Sequence, residues 1–226
     1  MPKHGKRYLS ALSLREAGRL YELDEAVALL RKFPAPKFDE TVEVTLLLGI
    51  DPKKSDQMVR GSISLPHGIG RELRVVAFAE GEKADAAREA GAVEVGAEDL
   101  AKKIQEGWMD FDVAIASPDM MRHVGKLGKI LGPQGKMPSP KAGTVTPDVA
   151  TAVREFKAGK IEFRNDSGGN VAAPMGRRSF EPKALRENVQ AFIDYVSSLK
   201  PATAKGAFIK KATLSATQSP GIPLKT

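Results

Sequence analysis

The sequence predicts a chain of mixed α/β and α+β class. A discontinuous two-layer α+β sandwich domain, residues 1–67 plus 160–226, is interrupted by an inserted three-layer domain, residues 68–159. Three observations predict it. Apolar strands alternate with helices through the middle of the chain, whereas the two ends follow a different order. Neither end has enough elements to close a core, but together they offer about five strands and two helices, the content of an α+β sandwich. The pattern changes at chain breakers, Pro66-His67-Gly68 on entry and Gly159 on return, so two crossing strands of chain form a hinge at Pro66, His67, Gly68 and Gly159.

Taken in order, Asp24 and Glu25 open a helix with Ala26, Leu29 and Leu30 on one face, stopped by Phe33-Pro34. Acids in the first turn suit the positive end of the helix dipole. Val42, Val44, Leu46, Leu48 and Ile50 alternate with Glu43, Thr45, Leu47 and Gly49, the pattern of a strand with one face buried. Residues 51–57 are a polar loop and Val59–Leu65 the returning strand. Leu73–Ala79 is a nearly continuous apolar strand, Glu82–Ala90 a helix, Ala92–Val95 a short strand, Ala97–Glu106 a helix and Val113–Ala116 a strand. Such strands, apolar on both faces and separated by helices, make a parallel sheet covered on both sides, a Rossmann-like unit. Ser117-Pro118-Asp119 and Thr146-Pro147-Asp148 each start a helix, the hydroxyl residue as N-cap and proline at the first helical position. The second runs to Gly159, a C′ residue. Lys160–Asn165 is a strand, Asp166-Ser167-Gly168-Gly169 a turn, and Asn170–Met175 the partner strand of a hairpin. Pro182 opens a helix with Leu185, Val189, Phe192, Ile193 and Val196 on one stripe, and Gly206–Ala216 is the last strand.

The absence of cysteine removes disulfides and thiolate chemistry and suits a cytosolic compartment. No apolar run is long enough to span a membrane, and the basic N-terminus lacks the apolar core of a secretory signal. The net charge of +7 is unevenly placed. Residues 1–67 hold 11 basic and 9 acidic side chains, residues 68–159 hold 13 and 14, and residues 160–226 hold 11 and 5. The two ends therefore carry the surplus. Within the neutral middle, Met120–Pro147 has Arg122, Lys126, Lys129, Lys136 and Lys141 and no acid. Two readings fit such localised charge: a polyanion partner, or a solvated basic face.

Inside that basic stretch Gly132–Pro147 has four prolines and three glycines in sixteen residues. Proline donates no amide and glycine costs backbone entropy, so the segment is a shaped loop and neither a helix nor a central strand. Catalysis finds little support. His4, His67 and His123 have no second ligand at metal spacing, and no G-x-S-x-G elbow exists. Gly68-Ile69-Gly70 begins like a dinucleotide fingerprint, but Leu73 replaces the third glycine and the glycines precede the strand they should follow. Gly135-Lys136 resembles the end of a phosphate loop, but Ile130 and Met137 stand where a glycine and a Ser/Thr are needed. Lys205–Lys210 only echoes an RNA-binding strand. With few aromatics, RNA recognition would rest on cations for phosphate and on small polar groups for bases and 2′-hydroxyls. Lys37–Thr41 and Ser215–Gly221 have that composition, as does an ordinary polar loop.

Five stretches converge on one family. KFDETVEV (Lys37–Val44), VRGSISLPHGIGREL (Val59–Leu73), GPQGKMPSPKAGTVT (Gly132–Thr146), KAGKIEFRND (Lys157–Asp166) and SF-(x)6-EN (Ser179–Asn188) resemble the bacterial large-subunit ribosomal protein L-one family, in order and over essentially the whole chain. The resemblance implies a split domain with a hinged insert. It also implies a non-enzymatic protein, without cofactor or metal and monomeric when free, that binds large-subunit ribosomal RNA to form the mobile stalk near the tRNA exit site. Such a protein assists release of deacylated tRNA and represses its own operon by binding its mRNA. Carried over by position, the main RNA surface comprises Lys37, Phe38, Thr41, Glu43, Arg164, Asp166, Ser215, Thr217, Gln218 and Ser219 on the split domain. A secondary contact comprises Lys126, Lys129, Gln134, Lys136 and Lys141 on the insert. The chain departs from the family inside these surfaces. Gln218 and Ser219 stand for methionine and glycine, Ser167 and Ala172 for a lysine and a histidine, and Gln134, Lys136 and Ser139 for arginine, leucine and asparagine.

Overall fold

The computed structural model describes residues 4–225. Its elements run α1 (Lys6–Ser13), α2 (Leu23–Lys32), β1 (Thr41–Leu48), β2 (Arg60–Ser64), β3 (Val75–Phe78), α3 (Glu82–Glu89), β4 (Glu94–Gly96), α4 (Glu98–Gln105) and β5 (Val113–Ala116). Then follow α5 (Met121–Val124), α6 (Gly128–Leu131), α7 (Val149–Lys157), β6 (Lys160–Arg164), β7 (Asn170–Arg177), α8 (Pro182–Ser198), β8 (Ile209–Ala216) and β9 (Ile222–Leu224). The chain divides into two compact units, one from the chain up to Gly70 and from Phe163 on, the other Arg71–Glu162. No described helix is long and apolar enough to cross a membrane.

In the first unit β1 is central to an antiparallel sheet ordered β7-β1-β8-β9. Its alternation explains the layering. Val42, Val44, Leu46 and Leu48 are buried, and α2 and α8 pack on the sheet, while Thr41, Glu43, Thr45 and Leu47 remain half-exposed on the other face. The helices contribute Ala26, Val27 and Leu30 from α2 and Leu185, Val189, Phe192 and Val196 from α8. Each large apolar side chain so buried is worth about 1.5–3 kcal/mol. Phe163 meets Phe192 edge to face at 5.3 Å. Ile193 is only half-buried; the stripe's fifth fully buried position belongs to a polar residue, Asn188.

The second unit is built on a parallel sheet ordered β4-β3-β5. Val75, Val76, Ala77 and Phe78 are all buried, because each face of β3 has its own core. One gathers Val76 and Phe78 with Leu100 and Ile104 of α4, Val124 of α5 and Leu131 of α6. The other gathers Val75 and Ala77 with Ala84 and Ala87 of α3 and Val153 and Phe156 of α7.

Several expectations are corrected. Residues 60–64 are not a strand returning along β1, which lies between β7 and β8; β2 pairs with β6. Residues 160–177 are not a closed hairpin either. The turn forms, with Asp166 N–H donating to Asn170 O at 2.8 Å. Beyond the Asn165–Val171 bridge, however, β6 joins β2 while β7 joins β1. The helix begun at Ser117 is broken into short α and 3-10 turns through Gly125, Gly128 and Gly132; three glycines in eight residues remove the propensity for a continuous helix. The cap of α7 is Asp148, two residues beyond Thr146, with Oδ1 accepting from Thr151 N–H at 3.1 Å. The polar loop at 51–57 ends in a 3-10 turn with Gln57 buried. Two elements, α1 and β9, had no sequence counterpart.

Candidate nucleic-acid interface

The half-exposed face of the first unit's sheet follows from the strand register. Glu43 stands between Pro174 and Ser215, Thr45 between Ala172 and Thr213, and Leu47 between Asn170 and Lys211. Apart from Glu43, Leu47 and Lys211, these side chains are short, and hydroxyls dominate the middle. Such a surface admits close approach of a sugar-phosphate backbone and offers donors and acceptors to 2′-hydroxyls.

At one end of this face lies the turn Thr217–Ser219. Thr217 N–H donates to Thr41 O at 3.1 Å, and Thr217 Oγ1 accepts from Thr41 N–H at the same distance. Ser219 Oγ accepts from Ala216 N–H at 2.8 Å. These two hydroxyls therefore shape the turn. Beneath it lies Glu40, 2% exposed, a residue of the Lys37–Thr41 stretch whose burial nothing in the sequence indicates. Its Oε2 accepts from Arg178 Nη1 at 2.7 Å and its Oε1 from Gln218 N–H at 3.0 Å. Arg178 also donates to the carbonyls of Arg31 and Phe33, so strand entry, turn and α2 end share one buried ion pair. Arg177 Nη1 donates to Thr41 Oγ1 at 3.0 Å, and Ser179 Oγ to Asp39 Oδ2 at 2.6 Å. On this framework Lys37 and Phe38 project into solvent, Phe38 being 48% exposed. An aromatic ring left in water beside a cation is suited to stacking on an unpaired base.

Lys37, Phe38, Thr41, Glu43, Ser215, Thr217, Gln218 and Ser219 are thus brought together. Arg164 and Asp166 are not: the turn after Arg164 lies by Leu47 and Leu48, about 20 Å along β1 from Thr41 at ~3.4 Å per residue. Arg164 is exposed, whereas Asp166 is engaged in its own turn. Asp166 Oδ1 accepts from the N–H groups of Gly168 and Asn170, both at 2.8 Å. The side-chain and backbone N–H bonds from Asn170 hold its carboxyl below the usual carboxylate range. Ser167 and Ala172 are both exposed.

The segment leading out of β2 has its own anchor. Asn188 Oδ1 accepts from His67 N–H at 3.0 Å, and its Nδ2 donates to Gly68 O at 2.9 Å and Met175 O at 2.8 Å. Pro66 is exposed, and the His67 ring meets Glu187 at 2.5 Å, holding that carboxyl below its ordinary range. A Cβ on Gly70 or on Gly176 would meet the Phe180 ring within 2.9 Å, so only glycine lets that ring sit between them. Gly159, with φ 107°, closes α7 by donating its N–H to Phe156 O.

In the second unit the Gly132–Pro147 loop is sewn to the sheet: Ala116 N–H donates to Thr144 O and Thr146 N–H to Ala116 O. Lys126, Lys129, Gln134 and Lys141 are exposed. Lys136 is not presented outward. Its Nζ donates to Phe111 O at 2.6 Å and Met109 O at 3.3 Å and lies 4.8 Å from the Phe111 ring centre. The first of the loop's two lysines therefore acts as its fastening.

A cavity of about 530 Å³ is lined by Glu80, Glu82 and Lys83 after β3 and by Ser117, Asp119 and Arg122 after β5. Doubly wound sheets hold nucleotides at such a place. Here Glu80 and Glu82 flank the start of α3, repelling the phosphates a helix N-terminus would attract. No described group of three acids or histidines could hold a metal ion.

A model of the ribosomal protein L1p/L10e family matches residues 30–220. Over 224 residues the chain is 54% identical to the large ribosomal subunit protein uL1 of Kosmotoga olearia, covering 99% of this chain and 97% of that one. It is 57% identical over 223 residues to uL1 of Thermosipho melanesiensis, covering 98% and 96%. With uL1 of Fervidobacterium nodosum it shares 56% over 225 residues, covering 99% and 96%.

Proposed function

The chain belongs to the ribosomal protein L1p/L10e family, and from that premise we propose that it is a non-enzymatic constituent of the large ribosomal subunit, in the cytoplasm, that binds ribosomal RNA. The RNA contact is the open face of the first unit, from Lys37 and Phe38 across Thr41, Glu43 and Ser215 to the turn Thr217–Ser219. Arg164 holds a phosphate further along. One observation supports this reading most: exposed Lys37 and Phe38 and the Thr217–Ser219 turn are all mounted on the buried Glu40–Arg178 pair, beside a face rich in hydroxyls. The first unit carries the charge for it, a net +8 against −1 for the second. A polyanion surface of this kind meets phosphates with its cations and reads bases and 2′-hydroxyls with its small groups.

In this reading the second unit is a hinged arm whose Lys126, Lys129, Gln134 and Lys141 steady the RNA, and the assembled stalk assists release of deacylated tRNA at the exit site. The same surface represses the chain's own operon by taking an mRNA segment that imitates the ribosomal site. Free in solution the protein is a monomer and needs no cofactor.

Footprinting on large-subunit ribosomal RNA tests the proposal. The expected result is one protected region, with affinity whose logarithm falls against log salt by roughly 0.7–0.9 per phosphate neutralised. Equal affinity for unrelated duplexes would leave only a non-specific polyanion binder. A reproducible rise in melting temperature with nucleotides would favour an enzyme built on the parallel sheet.

A further inference from the structure

The short helix α1 precedes the residues that the family model matches, 30–220, and is not explained by local helix physics. Gly5 caps it without a side-chain bond, its first turn holds Lys6 and Arg7 with no acid, and its last turn holds no base. Cations belong at the other end of a helix, where carbonyls are exposed; here they face the positive end of the dipole. From His4 to Arg15 there is no acidic residue at all. An element that breaks local rules in this way has its charges placed for something outside the fold.

Where those charges lie follows from two contacts. The Arg7 guanidinium donates to the side-chain oxygen of Gln218, and Arg15 Nη1 donates to Gly221 O at 2.7 Å. Gln218 is the middle residue of the Thr217–Ser219 turn, and its N–H is held by Glu40. The helix is therefore moored to the turn at the end of the open sheet face. His4 and Tyr8 stack at 4.3 Å and 20°, leaving a ring platform next to Lys6 and Arg7.

We propose that α1 is a further part of the RNA interface, in which Lys6 and Arg7 neutralise two phosphates and Arg7, through Gln218, sets the position of the Thr217–Ser219 turn. A phosphate there meets both cations and the positive helix end, which turns an unfavourable arrangement into a favourable one. The inference rests on the RNA-binding reading above. Exposed Leu9 and Leu14 could instead serve a lipid surface; the mooring to the turn favours RNA.

The test uses the full chain and the ribosomal RNA fragment that the wild type protects. For Lys6→Gln/Arg7→Gln the slope of log affinity against log salt should fall by about 1.5, so that between 50 and 200 mM salt the variant loses about eightfold less affinity than wild type. Lys6→Gln alone should lower the slope by about 0.7–0.9; the Lys6 side chain is exposed and makes no hydrogen bond or ion pair among the described residues, so this variant keeps the fold. The melting midpoint should stay level or rise. Unchanged slopes in both variants, with wild-type selectivity intact, would overturn the role of α1 and leave the main interface standing. A wild type without selective protection would instead overturn the RNA reading itself. Loss of binding to anionic phosphatidylglycerol vesicles with no change in RNA slope would also overturn the proposal, in favour of a lipid surface.

Discussion

Glu40 cannot touch RNA, since only 2% of it is exposed, yet its removal should be felt in both stability and binding. Glu40→Ala leaves the Arg178 guanidinium, itself 12% exposed, without its counter-charge. Removing one member of a buried pair costs about 3–5 kcal/mol. Arg178 keeps the carbonyls of Arg31 and Phe33 as acceptors, which sets the figure near ~3 kcal/mol. Loss of the acceptor for Gln218 N–H adds about 1 kcal/mol. A total of about 4 kcal/mol is a large part of the ~5–15 kcal/mol that holds a domain together. Urea unfolding followed by tyrosine emission reads it, because Tyr8, Tyr21 and Tyr195 lie in the first unit and the single tryptophan, Trp108, lies in the second. Arg178→Met should also destabilise, but the double variant should cost less than the two singles together by about 2 kcal/mol, since no charge is then left unpaired. Additive losses, or a single loss under ~1 kcal/mol, would refute the idea that the pair organises this end of the sheet. Glu40→Gln, which keeps an acceptor for Gln218, should bind the RNA fragment more tightly than Glu40→Ala.

Asn188→Leu fills the same space but orphans His67 N–H and two carbonyls. It should cost about 2–4 kcal/mol and remove exchange protection at the His67 amide; retained protection would contradict the anchor. Lys136→Met should open the Gly132–Pro147 loop to limited proteolysis while leaving the salt slope of RNA binding unchanged, and a reduced slope would return Lys136 to the list of phosphate contacts. Asp166 has its folded pKa lowered by Asn170, so its stabilisation is complete above about pH 4 and declines as acid protonates the folded carboxylate. Asp166→Asn should flatten the acid limb of stability measured by unfolding between pH 6 and 2; an unaltered limb would place that dependence elsewhere.

Local pattern made β1, the parallel strands and α8 legible. Alternation of Val42, Val44, Leu46 and Leu48 identifies a strand with one buried face, and unbroken apolar runs at Val75–Phe78 and Val113–Ala116 identify strands with two. Partner choice was not legible. Arg60–Ser64 reads as a strand, but nothing within it says that its neighbour is Lys160–Arg164, a hundred residues away. The turn chemistry of Asp166–Gly169 was visible, whereas the divergence of its flanking strands into two sheets depends on what lies beside each. β9 was missed because Pro223 argues against a strand, and an edge position beside Thr213 is where proline is tolerated. At the candidate site, composition marks Lys37–Thr41 only as a stretch that suits an RNA contact or an ordinary polar loop, and the roles of Lys37 and Phe38 come from the family resemblance. The pairing of Glu40 with Arg178 was not legible, because a charged pair separated by 138 residues leaves no periodic trace. Asn188 did leave one: it is a polar residue on the apolar stripe of α8, and such a break marks a buried anchor.

The placement of β1 between β7 and β8 has a consequence for synthesis. Between the end of β1 and the start of β8 lie about 160 residues, roughly 8–30 s of translation at ~5–20 residues per second. For about 120 of those residues, until β7 is made, the first long strand to leave the ribosome has both edges open, and one edge stays open until β8 follows. The second unit is continuous in sequence, Arg71–Glu162, and has every partner it needs as soon as it emerges. The middle of the chain can therefore be finished while its beginning still waits, and the earliest apolar strand made is among the last to be closed. A nascent chain of this design is most exposed to self-association before residue 209 appears, and whatever shortens or shields that interval governs how much native protein is recovered.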